Sequence, residues 1–312
     1  MISKIRKIIY SRIEVLLGAF IIIALLVIFA GGDTQNVSVP TEEIVYDYNH
    51  FDDISIEAHS AFVWDVNKQE VLFGINENVQ LPLASLTKLM TAIAADDILP
   101  EESVVTIDST SLVAEGDSGL YENERWSFKD LIRFTLMVSS NDGASAVANV
   151  AGVFKNNFPS RIEDNNKSFV QAMNEKAKEI GLTQTYFINP TGLDTSESVS
   201  GGYGSARDAV RLLEYAVINV SDIVEPTRHS AVNFESLSDI NHRATNTNSA
   251  IDALPGLIAS KTGYTDLAGG NLVIAFDAGI NHPIIISVLG STQKGRFEDI
   301  EKLVNASLKS LD

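Results

Sequence analysis

Residues 15–30 of this chain, VLLGAFIIIALLVIFA, carry no charge, and that run limits every arrangement of the rest because so apolar a stretch is not left in water. Extended by Gly31 and Gly32 to residues 15–32, it would make a helix about 27 Å long, the low end of what spans a bilayer core. Lys4, Arg6, Lys7 and Arg12 precede it, and Asp33 follows. Two readings stand. A cleaved signal peptide would have a shorter apolar run and a small-x-small site, which Ala30-Gly31-Gly32 matches only loosely; an uncleaved transmembrane anchor fits the length and is the expectation adopted. The basic residues then leave residues 1–14 in the cytoplasm and carry everything past Asp33 outward. The expected location is the cell membrane, single-pass, with an extracytoplasmic domain.

That location sharpens what the composition excludes. The chain has no cysteine, which rules out disulfides, thiolate metal sites and a Cys nucleophile. A net charge of −18 disfavours nucleic acid or anionic lipid as a partner, since both need clustered Lys or Arg. Glu42-Glu43, Asp96-Asp97 and Glu101-Glu102 read as solvated faces. His50, His59, His229, His242 and His282 are scattered without metal-ligand spacing, so no metal and no cofactor are expected.

Residues 33–59 are polar and acidic, as expected of a stalk, and the folded domain is expected over residues 60–312. Ser60–Val66 and Val71–Ile75 flank Asn67-Lys68 as a β-hairpin. Leu86 to Ala95 lacks Gly and Pro and reads as a helix with Ser85 at its start. Phe128 to Val138 is helical, breaks at Ser139-Ser-Asn-Asp-Gly143, and resumes through Ala144 to Val150. Phe169 to Ile180 is amphipathic and stops at Gly181, and Ser205 opens another helix with Asp208 three residues on. After Leu257 the pattern becomes strand-like at 260–265, 271–276 and 283–289, and residues 296–311 close as a helix. The fold class expected is α+β, a mainly antiparallel sheet with flanking helices and a largely helical subdomain, strands from both ends of the chain sharing the sheet.

Three short motifs lie in order on these elements: Ser85-Leu-Thr-Lys88, Ser139-Ser-Asn141 and Lys261-Thr-Gly263. Each has a bland explanation alone. Ser-x-x-Lys arises by chance, and Ser291-Thr-Gln-Lys294 repeats it in what reads as a loop. Ser85 could be an ordinary N-cap beside an exposed Lys88, and Ser139 to Asn141 an ordinary turn. The chemical reading is that i and i+3 share a helix face, so the Lys88 amine can meet the Ser85 hydroxyl, and that a second cation, Lys261, lowers the Lys88 pKa enough to make it a base. Ser139 and Asn141 point a hydroxyl and an amide into a cleft, where Asn141 can bind a peptide carbonyl. Gly263 leaves room for close backbone approach beside Lys261 and Thr262. The conjunction is specific where the single motifs are not.

The chain resembles the serine D-alanyl-D-alanine carboxypeptidases among the low-molecular-mass penicillin-binding proteins, of the β-lactamase/transpeptidase-like superfamily. The likeness extends through Leu83-Ala-Ser-Leu-Thr-Lys-Leu-Met-Thr-Ala92, Val138-Ser-Ser-Asn-Asp-Gly-Ala144, Phe187-Ile-Asn-Pro-Thr-Gly-Leu-Asp194 and Lys261-Thr-Gly-Tyr-Thr265. It implies that Ser85 is acylated by the penultimate D-Ala of a peptidoglycan stem peptide, that Lys88 takes its proton and Ser139 relays one, and that Lys261 with Thr262 holds the terminal carboxylate. The oxyanion hole would be the backbone N–H groups of Ser85 and Tyr264. β-Lactams would be inhibitors. Two departures stand near the site: Ala259 replaces the usual Gly two residues before the lysine, and Tyr264 stands where many members carry His. Many members also have a C-terminal β-domain with a membrane-lying tail; here the N-terminal span would supply the anchoring.

Four alternatives remain. A D,D-endopeptidase acting on cross-linked wall would share every motif. A β-lactamase needs a Glu-x-x-x-Asn carboxylate for deacylation, and Glu163 has Lys167 four residues on. A zinc peptidase lacks its histidines. A non-catalytic wall-binding module would need neither Lys88 nor an intact second motif.

Overall fold

A computed structural model describes residues 50–311, except 114, 117 and 157–160. The basic N-terminus, the span at 15–32 and most of the stalk lie outside the described residues, among which no helix is long and apolar enough to cross a membrane.

The chain opens with the expected hairpin, β1 (Ser60–Asp65) and β2 (Glu70–Ile75). The turn between them is held by the Asp65 carboxylate, which accepts from the N–H groups of Asn67 and Lys68. A short β3 (Leu81–Pro82) leads into a 3-10 turn at Ala84–Leu86 and then α1 (Thr87–Ile98). From Thr87 to Ala95 every residue of α1 is buried, so this helix runs through the core with no solvent face. The strands β4 (Val104–Thr106) and β5 (Arg125–Ser127) pair ahead of α2 (Phe128–Val138), which Ser127 caps by accepting from Asp130 N. The elbow then leads to α3 (Asn141–Asn156) and α4 (Ile162–Glu179). The latter starts one and a half to two turns before Phe169, because acidic Glu163 and Asp164 suit its first turn and buried Asn165 donates to Asn149 across the helix pair.

The small strands β6 (Tyr186–Phe187) and β7 (Gly202–Gly204) join β3 in a three-stranded sheet. Helices α5 (Ala206–Asn219), capped by Ser205 as expected, and α6 (Ser221–Val224) follow. A hairpin absent from the sequence reading, β8 (Ala231–Glu235) and β9 (Asn241–Thr245), interrupts the helical middle. Its alternation is legible only with β9's His242 and Ala244 buried and its other residues exposed, a pattern of few apolar letters. The chain closes with β10 (Leu257–Thr265), β11 (Gly269–Asp277), β12 (Pro283–Ser291) and α7 (Gly295–Lys309).

The main sheet is antiparallel throughout, in the order β10-β11-β12-β1-β2, so strands from both ends of the chain do share it. One face packs on α1, α5 and the helical subdomain; the other carries Val63, Phe73, Ile274, Ile284 and Ile286 against Ile300 and Leu303 of α7. Packing begins before Ser60. Phe51, 3% exposed, stacks on Phe73 at 5.2 Å, and the N–H groups of Glu57 and Ala58 donate to Asp299 of α7. The last residues read as stalk therefore lie against the domain.

Candidate active site

β10 is an edge of the sheet, and the 3-10 turn at Ala84–Leu86 lies along it. A Cβ placed on Gly263 would sit 2.9 Å from the Leu83 carbonyl oxygen and 3.1 Å from the Ser85 nitrogen, so the third residue of the last motif must be glycine for the strand to approach the turn. Asn271 of β11 fixes the same turn: its amide donates to the Pro82 carbonyl at 2.9 Å and its oxygen accepts from Gly290 N. Ala84 is held at φ 48°, a left-handed conformation costly for an L side chain. Ser85 caps no helix; Leu86 stands at that position without a side-chain bond, and the Ser85 hydroxyl faces Lys88 instead.

Lys88 is wholly buried, and its amine has three oxygens around it: Ser85 Oγ at 2.8 Å, Asn141 Oδ1 at 2.7 Å and the Thr191 carbonyl at 2.7 Å. None of the three is a carboxylate. Burial without a counter-charge lowers the Lys88 pKa from 10.5 to about 7. The Thr191 carbonyl belongs to the Phe187–Asp194 motif, for which the sequence suggested no role. Asn189 Oδ1 shapes that loop by accepting from the N–H groups of Thr191 and Gly192. Gly192, at φ +81°, passes so close to Ala84 that a Cβ would overlap its carbonyl oxygen. Asp194 ties the loop to the turn after β10 through Thr265 and Leu267 N.

Ser139 ends α2 in a left-handed conformation, φ 61°, which turns the chain sharply enough for Asn141 to begin α3 two residues later. Lys261 Nζ donates to Ser139 Oγ at 2.9 Å and to the Thr262 carbonyl at 2.8 Å. Burial, then Lys88, then Arg296 hold the Lys261 amine well below its usual pKa. Arg296, from the start of α7, donates to the Gly263 carbonyl at 2.5 Å, and burial brings its own pKa down to about 10. Thr262 pairs its hydroxyl with Thr247 at 2.5 Å. One N–H of the Asn141 amide already donates to the Glu115 carbonyl at 2.5 Å, so the amide that binds a substrate carbonyl must use its second N–H or exchange the first. Tyr264 is exposed at the strand's end.

The predicted residues thus converge: Ser85, Lys88 and Asn141 through one amine, Ser139 and Lys261 through another, and Gly263 against the turn that carries Ser85. The second Ser-x-x-Lys does not join them. Ser291 donates to Asp299, and Lys294 is 89% exposed beside Glu298. Glu163 lies exposed in the first turn of α4. Among the described residues no group of three or more His, Asp or Glu side chains is placed to hold a metal ion. His242 instead pairs with Glu124 at 2.7 Å and His282 with Asp65 at 2.7 Å. Thr191, Asn271 and Arg296 were missed because each contributes through a fold-dependent contact rather than a motif; only the Phe187–Asp194 likeness carried a signal.

This fold and motif arrangement has known counterparts. A D-alanyl-D-alanine carboxypeptidase from Mycobacterium tuberculosis superposes with a TM-score of 0.70 at 26% identity, over 82% of this chain and 94% of that one. The chain belongs to the peptidase S11 family of D-alanyl-D-alanine carboxypeptidases, which matches residues 47–293. It is 29% identical over 259 residues to D-alanyl-D-alanine carboxypeptidase DacF of Bacillus subtilis, covering 81% of this chain and 62% of that protein. It is also 33% identical over 226 residues to a D-alanyl-D-alanine endopeptidase of Pseudomonas aeruginosa, covering 69% of this chain and 66% of that protein.

Proposed function

We propose that the protein is a serine D,D-peptidase that removes the terminal D-Ala from peptidoglycan stem peptides through an acyl-enzyme on Ser85, and that penicillin acylates the same hydroxyl. The observation that carries this reading is the environment of Lys88. A neutral amine has two N–H groups and one lone pair. The Asn141 and Thr191 carbonyls accept the two N–H groups, which leaves the lone pair for the Ser85 hydroxyl.

Lys88 takes the proton as Ser85 Oγ bonds to the penultimate D-Ala carbonyl carbon, and the oxyanion accepts from the N–H groups of Ser85 and Tyr264. Collapse breaks the C–N bond, and the leaving D-Ala nitrogen takes a proton through Ser139 Oγ, which Lys261 orients. Water then cleaves the ester, returning the proton to Ser85 and releasing the shortened peptide. The catalytic residues are Ser85, Lys88 and Ser139; Asn141, Lys261, Thr262, Gly263 and Tyr264 line the substrate.

A purified domain given a pentapeptide ending in D-Ala-D-Ala should release one D-Ala, and fluorescent penicillin should label it at Ser85. Release or labelling that persists in Ser85→Ala would sink the assignment. A second reading, D,D-endopeptidase, is favoured by the relative of that name at 33% identity; faster release from cross-linked dimers than from pentapeptide would select it. The N-terminal span is proposed as a membrane anchor that holds the domain outside the cell.

A further inference from the structure

Toward the other end of the main sheet from β10, a cavity of about 390 Å³ opens between β1 and α5. β1 stands three strands from β10, about 14 Å at ordinary strand spacing, and no residue around the Ser85 hydroxyl lines the cavity. One wall is aromatic. Buried Phe62 pairs across to Gly74 on β2, so no side chain comes from that position to fill the space, and half-buried Trp64, two residues on and on the same face, stacks on Phe62 at 6.3 Å. The facing wall is Arg211, Glu214, Tyr215 and Ile218, whose spacing puts them on one face of α5. Ile218 is 68% exposed, an apolar side chain that the fold leaves in water beside the cavity.

The polar groups of the lining have hydrogen-bonding capacity to spare. Glu214 makes no hydrogen bond or ion pair among the described residues, although Arg211 stands one helical turn before it. Arg211 has no carboxylate partner there either and donates only to the Gly181 carbonyl, at 3.3 Å. The Trp64 indole N–H and the Tyr215 hydroxyl make no hydrogen bond among the described residues. Gln69 and Asn219 use their amide nitrogens on Val66 and Tyr215 carbonyls, which leaves both amide oxygens as acceptors. The third charged group, Arg207, is engaged already: it pairs with Glu77 at 3.2 Å and lies 4.3 Å over the Phe62 ring. What remains is one cation and one anion, with donors and acceptors both free, beside aromatic faces. A phosphate or carboxylate ligand would meet Glu214, and an ammonium ligand would meet Arg211. An uncharged ring whose hydroxyls both donate and accept, and whose C–H face can lie on an indole, suits all of these groups at once.

We propose that this cavity binds an uncharged saccharide, the N-acetylated hexosamine chain that carries the stem peptides, and so holds the domain on its polymer apart from the catalytic cleft. The choice of that saccharide rests on the D,D-peptidase reading. The probe is chitotetraose, a tetramer of N-acetylglucosamine that bears no peptide, titrated calorimetrically into the full-length protein in a detergent without a sugar headgroup. Binding should saturate below about 10 mM and should be unchanged after Ser85 has been acylated by penicillin. Glu214→Ala, Arg211→Ala and Trp64→Ala should each weaken it at least about tenfold, while penicillin labels all three at the native rate, which also shows that they fold. Absence of saturation, affinity that survives the Glu214 and Arg211 changes, or binding lost on acylation would each overturn the proposal, the last by assigning the sugar to the cleft. D-Ala release from a pentapeptide is measured on the same preparations: release without chitotetraose binding would sink only the saccharide site, and binding without release would remove the peptidase reading and leave the saccharide site standing.

Discussion

A lysine buried without a carboxylate must give up its proton easily, and Lys88 is in that position: its three polar neighbours are a hydroxyl and two carbonyls. The same fact governs stability and rate. With its folded pKa lowered to about 7 and its unfolded pKa near 10.5, the unfolded chain binds more protons between those limits. Lys88 therefore costs the fold most at and below pH 7, and that cost is relieved as pH rises toward 10.5. Urea unfolding of the domain and of Lys88→Met at pH 7 and pH 9.5 should show the native protein gaining on the variant at the higher pH; a constant difference would mean that Lys88 is charged when folded. The penicillin acylation rate should rise through a single step near pH 7 and then level off, and Lys88→Met should acylate at least about a hundredfold more slowly. At this scale the sequence was informative. Ser85, Lys88, Ser139 and Lys261 were found from motif order and element type, whereas the Thr191 carbonyl was not, because a backbone acceptor leaves no letter in the sequence.

The elements that bring these residues together are joined by glycines and short polar clamps. Gly192 is the tightest: its left-handed φ and its contact with the Ala84 carbonyl leave no space for a Cβ. Gly192→Ala should cost about 2 kcal/mol or more, seen as a lower unfolding midpoint, and should slow acylation more than a loss of stability explains, because the displaced backbone carries both the Thr191 carbonyl and the turn at Ser85. Acylation unchanged in a folded Gly192→Ala protein would remove the loop from the site. Long periodic elements such as Phe128–Val138 were legible, with the start at Phe128 and the end at about Val138, since burial and helix period coincide there. The β8–β9 hairpin was not: Asn233 and Arg243 break any apolar run, and what holds it comes from another part of the chain, the Glu124 carboxylate on His242 and the Arg125 N–H that donates to Ser238 Oγ in the hairpin's own turn.

At the scale of the whole molecule, the two ends of the described chain are fastened to each other. Asp299 of α7, wholly buried, accepts from Glu57 N at 2.9 Å, Ala58 N at 3.0 Å and Ser291 Oγ at 2.7 Å, while Phe51 covers Phe73 on the same face of the sheet. The boundary expected at residue 60 therefore falls inside a packed region: polar letters such as Asp52, Asp53 and Glu57 hide a segment that is fixed by the buried Phe51 ring and two backbone donors. In membrane fractions the full chain should sediment with the bilayer, and residues 50–312 should be soluble, folded and reactive with penicillin. Residues 60–312 lose a buried aromatic and leave a buried carboxylate without two donors, which should lower stability by about 4 kcal/mol or more. Comparing their denaturant midpoints decides where the domain begins. Equal midpoints would return residues 50–59 to the stalk, and a full chain recovered in the soluble fraction with a new N-terminus near Gly32 would replace the anchor with a signal peptide.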